Sequence, residues 1–253
     1  MVTSFLFVML AIGAAVGLAI GLVGIGGVAL VPLLTILFDM EIAGAIATAM
    51  ASYIVAGAIG FIIYSRHGSM NWRAATPLML GAAPGAFGGA ATVAYVPGDI
   101  LAAAIAGLTI FAGANALRRP AAGAAKTSRA MNLGRTSLLG LGFFTGFASA
   151  LTGTGGPVVL IPILLLMGAP VLYAIGLGQA IQVPIAVIAS LYNIAAGTID
   201  PVAAALLAVG LGAGVMAGGL LAHRLPTRWL MSMVALVLIG LGLFLIASTF
   251  GVF

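Results

Sequence analysis

The chain has 253 residues, of which 63% are hydrophobic and only 5% charged, with a net charge of +5. A soluble domain carries about 25% charged residues, so nine basic and four acidic side chains cannot coat a water-facing surface. The bilayer is therefore the solvent, and the chain must span it as helices or as a closed barrel. The long apolar runs lack period-two alternation, which excludes the barrel. Cysteine is absent, so disulfides and thiolate metal sites are excluded. No basic run interleaves with aromatics, so no nucleic-acid partner is expected. No basic segment precedes the first apolar run, and a cleaved signal peptide is not expected.

The first apolar stretch covers residues 5–38 and is broken by Gly24-Ile25-Gly26-Gly27. It is too long for one untilted span of about 20 residues and too short for two. Further spans are predicted at 42–64, 74–95 and 100–117. Residues 118–135 hold Arg118, Arg119, Lys126, Arg129 and Arg135 and read as a linker. The second half repeats the plan. Residues 136–167 form a long apolar stretch broken by Thr152-Gly153-Thr154-Gly155-Gly156-Pro157, with spans predicted at 172–196, 202–222 and 229–250.

At a constant offset of 129 residues, Gly24, Gly26 and Gly27 fall on Gly153, Gly155 and Gly156. Gly81, Gly85 and Gly89 fall on Gly210, Gly214 and Gly218, and Pro97 on Pro226. Pro32 and Pro162 are one residue out of register, as a single-residue indel would leave them. The expected architecture is all-α and integral to the membrane. It has a first repeat at 1–117, a basic cytoplasmic linker at 118–135 and a second repeat at 136–253. If each half crosses an even number of times the halves are parallel. If each broken segment enters and returns on one side, the halves are inverted. In the inverted case all nine basic residues share one side, while Asp39, Glu41, Asp99 and Asp200 lie on the other. The positive-inside rule favours that arrangement, with the linker cytoplasmic and both termini outside.

The breaks carry the chemistry. Gly-rich backbone inside a membrane is tolerated only where protein or a water-filled cavity surrounds it. A helix resuming after a break presents free N–H groups and the positive end of its dipole, which together attract an anion. Pro157 suits the first turn of such a helix. Candidate anion-binding residues are Gly24, Gly26 and Gly27 in the first break, and Thr152, Thr154, Gly155 and Gly156 in the second. Gln179 and Gln182 share a helical face, and their repeat mates are Met50 and Tyr53, flanked by Thr48 and Ser52. The bland alternative is close helix packing through glycine and interhelical hydrogen bonding through the amides. Asn115 and Asn193 read as structural, and His67 and His223 as interfacial anchors beside arginines.

These motifs support a resemblance. The stretches Gly21-Leu22-Val23-Gly24-Ile25-Gly26-Gly27-Val28-Ala29-Leu30-Val31-Pro32 and Thr152-Gly153-Thr154-Gly155-Gly156-Pro157 resemble the paired signatures of the sulfite exporter TauE/SafE family. So do Gly68-Ser69-Met70-Asn71-Trp72 and Ala196-Gly197-Thr198-Ile199-Asp200-Pro201. The resemblance implies a bacterial inner-membrane carrier of sulfite, sulfonates or sulfoacetate. Val28 stands where the family usually has a third consecutive glycine, which puts the two half-sites on unequal footing. Expected partners are a small anion and the bilayer, with a homodimer left open. No cofactor, metal or catalytic residue is expected. An anion channel is the alternative. An intramembrane enzyme is disfavoured, because no nucleophile–base pair lies within a span.

Overall fold

The computed structural model describes residues 2–92 and 133–249, with Tyr95, Ala106, Gly107, Ile110, Phe111, Gly113, Ala114 and Leu117 between them. The expected span at 100–117 as a whole, the linker up to residue 132, Pro97, Asp99 and Asn115 lie outside the described residues. The described elements are helices, with no strand among them. They are α1 (Val2–Val23), α2 (Leu30–Phe38), α3 (Ile42–Arg66), α4 (Trp72–Thr92), α5 (Arg135–Thr152), α6 (Pro157–Leu166), α7 (Val171–Ala195), α8 (Pro201–Arg224) and α9 (Thr227–Thr249). Five of these, α1, α3, α7, α8 and α9, are long and apolar enough to cross a bilayer.

The two over-long stretches break where glycine punctuates them. Helix α1 ends in Gly24, whose φ of 78° places it in the left-handed region open to glycine. A 3-10 turn at Gly27–Ala29 then leads into α2. Helix α5 ends in Gly153 with φ 70°, and α6 resumes with Pro157 at its first position. Asp39 stops α2 in the left-handed conformation with φ 50°, which Asp tolerates better than most residues. Asp200 caps α8, its carboxylate accepting from the N–H groups of Val202 and Ala203 at 3.0 Å each. That is an ordinary N-cap.

Glycine stripes fix the directions of the helices. A Cβ on Gly13 would meet the backbone of Leu207 and Gly210, and one on Gly21 that of Val215 and Gly219, so α1 runs parallel to α8. Gly81, Gly85 and Gly89 lie in turn against the backbone of Leu139, Phe143 and Phe147, so α4 runs parallel to α5. Both pairs approach backbone to backbone, which only glycine permits. Helices α3 and α7 pass in opposite directions, Gly57 facing Gln182 and Gly60 facing Gln179. Helix α8 follows the direction of α3, with Gly212 beside Val55 and Ile59, and Gly219 beside Ile63. It follows that α1 and α3 point the same way, so α2 returns the chain between them and the first broken segment is a hairpin. Helices α5, α6 and α7 repeat this in the opposite sense.

Candidate functional site

The two breaks meet, and Tyr53 joins them. Its Oη donates a 2.6 Å hydrogen bond to the carbonyl of Gly27. Its ring lies where a Cβ on Gly155 would come within 3.1 Å. A Cβ on Gly27 would in turn lie 3.1 Å from the Thr154 carbonyl. Tyr53, on α3, is fully buried. Contacts at the mouths of the breaks are reciprocal: Gly24 abuts Ile161 and Ile175, and Gly153 abuts Val31 and Ile46. Ile175 stands 129 residues after Ile46, and Ile161 stands 130 after Val31, so the one-residue shift seen at the prolines is already present at Val31 and is gone by Ile46.

Gly153, Gly155 and Gly156 have φ of 70°, 81° and 109°, whereas only Gly24 is positive in the first break. The second break is therefore the more sharply turned. Among the described residues nothing accepts from the N–H of Ile25 or of Gly155. Both residues are buried. A buried donor without a partner costs about 1–3 kcal/mol, a cost that an anionic ligand would offset. Thr154 Oγ1 lies 3.0 Å from Thr152 Oγ1, and Thr152 also donates to the Ala148 carbonyl at 2.8 Å.

Gln179 and Gln182 are buried on the face of α7 that meets α3. Gly57 and Gly60 form the notch that admits them, since a Cβ on Gly60 would strike the Gln179 amide and one on Gly57 would crowd the methylenes of Gln182. Their roles differ. Gln179 Nε2 donates to the carbonyl of Ile20 at 2.9 Å, tying α7 to the last turn of α1. Its Oε1, and Oε1 of Gln182, are buried without a hydrogen-bond partner. Thr48 and Ser52 are turned elsewhere: Thr48 Oγ1 accepts from the N–H of Asp200 at 3.1 Å, and Ser52 Oγ donates to the Ala49 carbonyl at 2.7 Å. Gly26 packs back against Val16, Ala19 and Ile20 of α1.

Two residues absent from the sequence reading belong here. Tyr64 Oη donates to the Gly21 carbonyl at 2.8 Å. Together with Tyr53 and Gln179 it fastens the first hairpin to α3 and α7 by three of its carbonyls. Among the described residues no side chain of α3 or α7 is seen hydrogen-bonded to the second break in the same way. Ser149, one turn before the second break, has a buried hydroxyl without a partner. A serine in an otherwise apolar turn, at the repeat position of Ile20, was its only signal. The histidines form a pair: their rings stack at 4.2 Å, and Ser69 Oγ lies 2.9 Å from Nε2 of His223. A groove of about 610 Å³ beside the first break is walled by side chains such as Val16, Ile25, Leu33, Val237 and Phe244. It offers an anion no side-chain donor.

Long apolar helices and two buried breaks facing each other across two hairpins define a multi-pass membrane transporter. The chain belongs to the sulfite exporter TauE/SafE family, which it matches over residues 9–245. It is 26% identical over 234 residues to the "Probable membrane transporter protein YdhB" of Bacillus subtilis (strain 168), covering 91% of this chain and 96% of that protein. No solved structure matches the chain significantly.

Proposed function

We propose that the chain is a secondary carrier that exports a small sulfur-containing or organic anion by alternating access, binding it where the glycine breaks meet. The observation that carries this reading is Tyr53, which holds Gly27 of one break against Thr154 and Gly155 of the other. The unpaired N–H groups at Ile25 and Gly155 would donate to the anion's oxygens. Neutral donors at helix ends hold an oxyanion without a fixed counter-charge to trap it. Gln182, buried at the notch facing α3, would supply its amide. The family's name supports sulfite or a related sulfonate as cargo.

In this reading residues 1–117 and 136–253 are inverted repeats joined by the basic linker. Antiparallel α3 and α7, and the reciprocal contacts of Gly24 and Gly153, support the inversion. So does charge. Arg66, Arg73, Arg135, Arg224 and Arg228 stand at one set of helix ends, and Asp39, Glu41 and Asp200 at the other. The basic end would be cytoplasmic in a bacterial inner membrane, with both termini outside. Transporters of this plan bind at the repeat interface and rock one half against the other. Export of an anion is favoured by an inside-negative potential, about 2.3 kcal/mol per charge per 100 mV, so it needs no coupling ion.

The test is sulfite efflux from proteoliposomes. The rate should saturate with sulfite, and Gly155→Leu and Gly26→Leu should abolish it with the protein still inserted. A rate linear in concentration would identify a channel, and normal transport by both variants would move the site elsewhere.

A further inference from the structure

Helices α4 and α5 begin side by side and leave a cavity of about 480 Å³, walled by Trp72, Arg73, Thr76, Leu133, Arg135 and Leu138 among others. Arg73 and Arg135 each stand in the first turn of their helix. That is the unfavourable end for a cation, because a helix N-terminus already carries partial positive charge. The two helices are parallel, so both positive ends meet both guanidinium groups at one cavity. Neither first turn holds an acidic residue. Among the described residues neither arginine has a carboxylate partner, and Asp39, Glu41 and Asp200 lie at the opposite helix ends.

The rest of the wall is not polar. Trp72 is 54% exposed and is fixed edge-on to Phe61, with ring centroids 5.2 Å apart and planes at 88°. Leu138 is buried beneath the cavity. The hydroxyl of Thr76 is turned back to the Trp72 carbonyl at 2.9 Å. Paired guanidinium groups match a phosphate, and an indole at a helix end suits the boundary between headgroup and acyl chain. An oxyanion joined to an apolar body satisfies both walls, whereas a small free anion satisfies only one. We propose that this cavity binds the headgroup of an anionic phospholipid, its phosphodiester held by Arg73 and Arg135 and its glycerol end against Trp72 and Leu138. Basic recesses between membrane helices recognise lipid headgroups in this way. The assignment does not rest on the glycine breaks being the transport site.

The experiment is native mass spectrometry of the full chain with phosphatidylglycerol or phosphatidylcholine. Phosphatidylglycerol should be retained in preference, and the double variant Arg73→Gln, Arg135→Gln should weaken retention about tenfold or more. Arg66→Gln, Arg228→Gln, which removes two basic residues outside the cavity, should leave it unchanged. Equal retention of phosphatidylcholine would overturn the proposal, as would an equal loss in the control. Displacement of phosphatidylglycerol by millimolar sulfite would show a vestibule for the transported anion and would also overturn it. A second readout needs no arginine variant. Trp229→Phe leaves Trp72 as the single tryptophan, and nitroxide-labelled phosphatidylglycerol should quench it where labelled phosphatidylcholine does not. Equal quenching by both lipids would contradict the site.

Discussion

Tyr53 reaches from the middle of α3 to donate a 2.6 Å hydrogen bond to the carbonyl of Gly27. That bond closes the first break against the helix whose ring also supports the second. Tyr53→Phe keeps the ring and removes the donor, leaving the Gly27 carbonyl with the Leu30 N–H alone. The expected cost is about 0.5–1.5 kcal/mol, read as a lower melting temperature in detergent, together with slower transport. Unchanged values for both would show that the breaks do not depend on this bond.

Gln179 and Gln182 are expected to separate. Gln179 already holds the Ile20 carbonyl, so Gln179→Leu should lower stability by about 0.6 kcal/mol, the average for interhelical hydrogen bonds in membranes. Among the described residues Gln182 Nε2 donates to no acceptor, and it is proposed to donate to the anion. Gln182→Leu should weaken anion binding roughly ten- to hundredfold, or about 1.5–3 kcal/mol, at unchanged melting temperature. Paired titrations of affinity and melting would decide. The reverse pattern would exchange the two roles.

Glycines along the parallel pairs should tolerate no side chain. A Cβ on Gly85 or Gly214 would collide with the backbone of Phe143 or Ala14, and backbone cannot rotate away. Gly85→Val and Gly214→Val should each destabilise by at least about 1–3 kcal/mol, which detergent melting would detect. Gly140 faces open space on α5. There Gly140→Ala should gain roughly 0.5–1 kcal/mol from helix propensity. Equal effects at all three positions would mean the glycines serve flexibility and not approach.

Much of this was legible in the sequence, for physical reasons. A hydrocarbon solvent forces helices, and glycine with proline marks where they stop, so both breaks and the start of α6 at Pro157 fall where they were expected. The difference in backbone between the two breaks was not legible. Gly26 and Gly27 match Gly155 and Gly156 in the sequence, yet only the second pair has positive φ. Partners across the fold were not legible. Nothing in the sequence shows that Tyr64 reaches Gly21 over 43 positions, or that Gln179 is occupied by Ile20. Thr48 reads as a candidate flanking Met50 and Tyr53, and its hydroxyl accepts from the Asp200 N–H at the start of α8. Which helices lie parallel is likewise set by tertiary packing, and glycine spacing alone leaves the partner unnamed.

Topology can be read from thiol labelling, because the chain has no natural cysteine. Single cysteines replacing Gly123 in the linker and Thr227 at the start of α9 should react with an impermeant reagent only after permeabilisation. A cysteine replacing the exposed Glu41 should react in intact cells. Labelling of Gly123→Cys and Thr227→Cys from different sides would contradict the inverted arrangement.

The convergence of both breaks on one anion can be measured through the same chemistry. Single cysteines replacing Val28 in the first break and Thr154 in the second would be alkylated with N-ethylmaleimide. The competing ligand would be the sulfonate that the reconstituted chain transports best, because sulfite itself reacts with maleimide. The account predicts that the sulfonate slows alkylation at both positions with the same half-maximal concentration, and that Gln182→Leu raises that concentration at both together. Protection of one cysteine without the other, or of neither while transport persists, would contradict a site shared by the two breaks.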